Sequence, residues 1–316
     1  MRGPSRLASG AQWELYWNKI SEAVILSLGL SNDSHFGQKY GDSRGFWFRK
    51  RWRNGRAPLR LSLRIGCAVV FLCASVLAAV PADPEAVTTS CGPGLQLTAD
   101  QIAQRLAARN VERAQHLGSF ESERHYELEY TGFPSSRSAT MSVNATYHAP
   151  GTKQFTVTAE TGSKLILTRV LHRLLESEQE SSSDEANRKA TALTTANYRF
   201  ALRGCDASAD RDTYVMNVEP LRDNKFLYRG TIWIDAADFA VVRIDAEPAK
   251  NPSIWTKHSQ IHHQYQKVGE FYLPSSNETV TEVRLGGRSV LKIRYENYRI
   301  HTSGEDHGRW SASNSK

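Results

Sequence analysis

The chain has 316 residues and a formal charge of +7, which allows one large or two ordinary domains. Residues 1–82 hold 12 Lys/Arg against 4 Asp/Glu, whereas residues 83–316 hold 28 against 29. The body is therefore near neutral. With no basic stripe interleaved with aromatics in it, the composition argues against a nucleic-acid partner.

Residues 1–57 are rich in Gly, Ser, Arg and Trp with one short apolar patch at Ala23 to Leu30. They read as an N-terminal extension, either disordered, a cytoplasmic tail or the product of a start assigned too early. Arg49, Lys50, Arg51, Arg53, Arg56, Arg60 and Arg64 then lead into IGCAVVFLCASVLAAV, an apolar run of 16 residues from Ile65, and Val80-Pro81-Ala82 offers small residues before Asp83. A charged region, a short apolar run and a small-residue exit make residues 58–82 a secretory signal. A retained anchor in the inner membrane is the alternative, although a spanning helix needs ~20 apolar residues. In both cases the positive charges stay inside and the C-terminal body lies in the periplasm. Removal of the signal leaves Cys91 and Cys205, which can pair in an oxidising compartment.

The body opens with a helix. Thr98 and Gln101 form a capping box, and Ile102, Leu106 and Val111 with Ala103 and Ala107 form its apolar stripe. Three strands follow by their period of two: Tyr126, Leu128 and Tyr130; Met141, Val143, Ala145 and Tyr147; Phe155 and Val157. The period changes at Lys164, where Leu167, Leu171, Leu174 and Leu175 predict a second amphipathic helix over 164–176. The polar ESEQESSSDEANRK after it reads as an exposed loop or a frayed helical continuation. Strands resume through Tyr198 to Leu202 and Tyr214 to Val218. The plainest hairpin is FLYRGTIWIDAADFAVVRIDAE, Phe226 to Glu247, with its turn at Asp235 to Asp238. Its alternation predicts Ile232 and Ile234 facing Val242 and Ile244 across the ladder. Further strands around Ile261, His263 and Tyr265, around Phe271 and Leu273, and around Leu291, Ile293 and Tyr295 complete about eight after the second helix. Residues 304–316 have no apolar period and read as a disordered tail.

The expected fold is mainly β (α+β): over residues 83–303, a curved antiparallel sheet forms an incomplete β-barrel capped by helices. Inward-facing apolar residues outnumber what two helical stripes can cover, which points to a hollow. Its expected lining is Tyr126, Leu128, Tyr147, Phe155, Ile232, Ile234, Val242, Ile244, Leu291 and Ile293.

Candidate chemistry is sparse. Gly41-Asp42-Ser43-Arg44-Gly45 matches the G-x-S-x-G string but follows no strand and precedes the signal. His258 and His262 sit ~13 Å apart along a strand, with no cysteine or carboxylate pair to complete a metal set. Asp235 and Asp238 read as turn residues. Asn144-Ala145-Thr146 and Asn277-Glu278-Thr279 match glycosylation acceptors. No catalytic set, metal site or cofactor is expected, and the chain is not read as an enzyme.

The order helix, strands, helix, strands, the hairpin GTIWIDAADFAVVRIDAEPAKNPS, Tyr126-Glu127-Leu128 and GEFYLP at 269–274 together resemble the LolA/LolB-like superfamily, including bacterial outer-membrane lipoprotein-sorting proteins. The resemblance covers roughly residues 97–300. It implies a helix-capped half-barrel that holds acyl chains, with a lipid or acylated lipoprotein as cargo and a membrane protein as the partner that takes it. Members that regulate anti-sigma factors imply the alternative, a protein-interaction module of the same fold without lipid cargo.

Overall fold

The structure is a computed structural model, which describes residues 96–207, 211–224, 226–251, 256–284 and 286–303. The expectations for residues 1–57, for the signal at 58–82 and for the tail at 304–316 lie outside the described residues.

Helix α1 (Ala99–His116) starts at the capping box. Thr98 N donates to Gln101 Oε1 at 2.9 Å and Gln101 N to Thr98 Oγ1 at 3.3 Å, which satisfies two backbone donors that the first turn leaves free. Strands β1 (Leu117–Thr131), β2 (Arg137–His148) and β3 (Thr152–Gly162) follow as two hairpins. The second helical region continues past 176, in line with the helical of the two readings of the polar stretch. It runs as α2 (Lys164–Ile166), a π-helical turn (Leu167–Leu171), α3 (His172–Ser183) and α4 (Glu185–Thr191). The polar stretch after Leu175 is thus helical, because Ser177, Glu178 and Ser182 are buried against the sheet and tertiary packing outweighs weak helix propensity.

Seven strands return: β4 (Tyr198–Asp206), β5 (Thr213–Pro220), β6 (Tyr228–Asp235), β7 (Val241–Pro248), β8 (Thr256–Val268), β9 (Phe271–Val283) and β10 (Gly287–Thr302). The sequence suggested about eight. Among the described residues ten strands form one antiparallel, curved and unclosed sheet in the order β3-β2-β1-β10-β9-β8-β7-β6-β5-β4. Pairing of β1 with β10 joins the N-terminal hairpins to the C-terminal meander. The two edges, β3 and β4, are consecutive strands, so the segment from 163 to 197 that links them supplies α2, α3 and α4.

The long hairpin β6–β7 turns as its sequence implies. Asp235 Oδ1 accepts from the backbone N–H of Ala237 and Asp238 at 3.0 and 2.8 Å. The expected register does not hold throughout. Ile232 faces Ile244, but a shift after Trp233 sets Ile234 opposite Val241. The extra residue displaces Val242 from the face on which simple alternation put it, as a bulge does, and leaves it half-buried.

Candidate functional site

The expected lining residues do not form one wall. Tyr126, Leu128, Leu291 and Ile293 share a cluster under α2–α3, with half-buried Phe155 packed against it. Ile232, Ile234 and Ile244 belong to a second cluster, closed by Ile102, Ala103 and Leu106 of α1. Tyr147 lies in a third, stacked on Phe120 with 5.1 Å between ring centroids. Between α1 and the sheet, Asn110, Arg113, Tyr147 and Phe271 help to line a cavity of about 40 Å³, room for roughly one or two waters.

The cluster under α2–α3 contains charges. Arg124 shares its strand face with Tyr126, Leu128 and Tyr130, and is 1 % exposed. Lys153, on the face of Phe155 and Val157, is equally buried. Glu178 continues the helical stripe Leu171, Leu174, Leu175 and reaches down between the two cations. Arg124 Nη1 donates to Glu178 Oε1 and Oε2 at 3.0 and 2.9 Å, and Lys153 Nζ donates to Oε1 at 2.8 Å. The guanidinium carbon lies 5.0 and 5.2 Å from the ring centroids of Phe155 and Tyr295, close enough for attraction to the ring faces.

Burial and charge oppose one another here. Burial raises the Glu178 pKa, but Arg124 and then Lys153 outweigh it and hold the carboxyl below its ordinary value. For Lys153 the burial effect wins over attraction to Glu178 and brings the ammonium down to about 8. Burial also lowers Arg124, yet Glu178 and the tyrosines together lift it well above the usual arginine value. The Tyr126 hydroxyl, desolvated and only partly compensated by Arg124, is pushed up to about 12. The cations come from the sheet and the anion from the covering helix, so this contact positions the helix over the apolar floor.

Other singled-out residues have structural partners. Asp238 accepts from Tyr272 Oη at 2.6 Å and from Lys267 Nζ at 2.5 Å, and these two bonds hold its carboxyl below the usual range. His262 Nδ1 meets Asp245 Oδ1 at 2.9 Å, and His258 Nδ1 lies 3.5 Å from Glu247 Oε2. Each of these histidines therefore has a carboxylate on β7, which strand spacing alone does not reveal. His263 is buried on the opposite face and stacks on Tyr265 at 4.6 Å. Among the described residues no group of three or more His, Cys, Asp or Glu side chains has the placement to hold a metal ion. Cys205 on β4 is disulfide-bonded, and its partner lies outside the described residues. Asn144 and Asn277 both lie within strands, and Asn277 is buried.

Arg124, Lys153 and Glu178 escape a search for motifs, but each leaves a trace in the sequence. Each is a charged residue standing where the local period demands an apolar one.

No family profile and no curated protein matches the chain. Among solved structures, it is similar to a domain of an outer membrane lipoprotein-sorting protein from Vibrio parahaemolyticus, at 12% identity over 68% of this chain and 97% of that one, with TM-score 0.36. It is also similar to a DUF1329 family protein from Desulfovibrio piger, at 13% identity over 66% and 95%, with TM-score 0.35. A third, a LolA superfamily protein from Nitrosomonas europaea, gives 11% identity over 65% and 94%, with TM-score 0.29. No residue's role is taken from these likenesses.

Proposed function

We propose that the chain is a non-enzymatic periplasmic carrier or sensor that binds the acyl chains of a lipid or lipoprotein beneath helices α2 and α3. The observation that carries this reading is the covering helix itself. It lays Leu167, Val170, Leu171, Leu174 and Leu175 on an apolar floor of β1, β2 and β10, and is anchored there by the Glu178 ion contacts. Its π-helical turn breaks the regular hydrogen-bond ladder midway along the cover, a feature frequently found at functional sites. The floor is packed against the helix, so a chain would enter by lifting it. Each buried CH₂ would contribute about 0.8 kcal/mol, and a membrane protein is the expected recipient.

In this reading residues 58–82 direct export, the mature chain starts near Asp83 and Cys91 is the partner of Cys205. The assignment is tested by native mass spectrometry of the protein purified from membrane-containing lysate, with displacement of a fluorescent fatty acid as the quantitative arm. Co-purified lipid or acylated peptide supports it. Its absence, together with no fatty-acid binding, would leave the second reading, a regulatory or structural protein-interaction module of the same fold. The packing of all three clusters and the small volume of the cavity beside α1 favour that alternative.

A further inference from the structure

Glu178 brings a carboxylate to two cations that belong to the sheet. Arg124 stands on β1 among Tyr126, Phe155 and Tyr295, and Lys153 stands on β3, equally buried. If the helix lifts, this carboxylate leaves and the cations lose a partner that holds them through three charge-assisted hydrogen bonds. Such a loss is costly in an apolar setting. A neutral acyl cargo cannot offset it, whereas a cargo with its own anion can take the position that Glu178 vacates.

We propose that Arg124 and Lys153 form a head-group site for an anionic amphiphile, with Glu178 occupying that site while the helix is seated. The proposal rests on the carrier reading and names its substrate class: a carboxylate or phosphate head on an alkyl chain. The tail has a place to lie. From Arg124 the same face of β1 continues through Tyr126, Leu128 and Tyr130, six residues further on, which is about 20 Å of strand, all buried under the covering helix. The head therefore sits at the α3 end of the floor and the tail runs toward Ser163, where the helix begins. Lys153 also contributes selectivity: its ammonium stands at about 8 even with the Glu178 carboxylate beside it, so departure of that carboxylate would lower it further and a bound anion would restore its proton.

The test compares four amphiphiles of one chain length on the purified full chain: hexadecanoate, hexadecyl phosphate, hexadecanol and hexadecyltrimethylammonium, each displacing a pyrene-labelled alcohol below its micellar concentration. Both anions are expected to bind at least tenfold more tightly than the alcohol, with the ammonium weakest. A phosphate preference identifies a phosphorylated head, and a carboxylate preference a fatty acid. Equal binding of alcohol and anions overturns the head-group site and leaves the carrier reading standing; no binding of any overturns both. Lys153→Met is expected to lose most of the preference for anions over the alcohol, and a folded variant that keeps the full preference overturns the proposal. Glu178→Gln, which removes the competing charge, is expected to bind hexadecanoate about tenfold more tightly. Should that variant melt below the assay temperature, the ranking of the four heads by the unmodified chain still decides the question.

Discussion

On the β4–β7 side of the sheet, α1 sets Ile102, Ala103 and Leu106 against Met216, Ile232 and Ile234, and this contact is almost wholly apolar. On the β1–β3 side, α3 packs a similar stripe of leucines but adds Glu178 between Arg124 and Lys153. Apolar burial is non-directional and stabilises wherever area is removed from water. A buried ion cluster behaves differently: desolvation offsets most of its attraction, so it adds little net stability while penalising any arrangement that separates the charges. One cover is thus held by area, and the other is held in one position. On the head-group proposal, the helix held in position is the one that a ligand able to satisfy the same charges would release.

The largest effect is expected from breaking the ion cluster. Glu178→Ala leaves two buried cations without their carboxylate and should cost about 3–5 kcal/mol in urea unfolding. Replacing Arg124, Lys153 and Glu178 together by Met, Met and Leu should be neutral or stabilising by about 1–4 kcal/mol. A single-variant cost under about 1 kcal/mol would mean that both covers are held alike.

The next test compares the two floors. Ile232 is fully buried beneath α1, and Ile232→Ser should cost roughly 3 kcal/mol or more through the void and the unpaired hydroxyl. The same change at Ile293, under the helix that the carrier reading allows to lift, is expected to cost less. Equal losses at both sites, with no acyl ligand bound by the unmodified chain, would favour a filled scaffold.

Titration separates the regions again. Burial lowers His263 to about 3, so the folded state keeps it neutral while the unfolded chain protonates near 6.5. A depressed histidine pKa means that stability falls as pH drops from 6.5 toward 3. The loss should reach about 2 kcal/mol by pH 5, and His263→Phe should flatten that limb. Glu178 is lowered by Arg124 and Lys153; its contribution is complete above its unfolded pKa and is lost only as pH falls through the lower folded value. Glu178→Gln should therefore leave the limb between pH 6.5 and 5 unchanged.

The smallest effect concerns how the helices begin. Thr98 accepts from the backbone of Gln101, and Thr98→Ala should cost about 1 kcal/mol. Ser163, at the start of α2, makes no side-chain cap bond, so Ser163→Ala should change stability by less than about 0.5 kcal/mol. An equal loss at both caps would contradict this difference.

Local chemistry is what the sequence alone determined. The capping box placed the start of α1, alternation of apolar residues gave the strand series, and Asp235 marked the turn of the longest hairpin, because caps, pleats and turns are satisfied by residues a few positions apart. Tertiary structure decided the rest. The bulge that displaces Val242 depends on how β6 and β7 pair, and the division of the expected lining into three clusters depends on which helix covers which strands. The sequence left the stretch from Glu176 to Ser183 as loop or helical continuation, and burial of Ser177, Glu178 and Ser182 decided for the helix. Arg124, Lys153 and Glu178 are 54 residues apart at their widest, and each looks like an exception to its own local pattern. Only the folded sheet brings the three exceptions together, because the attraction that explains them acts over about 3 Å of space and has no signature along the chain.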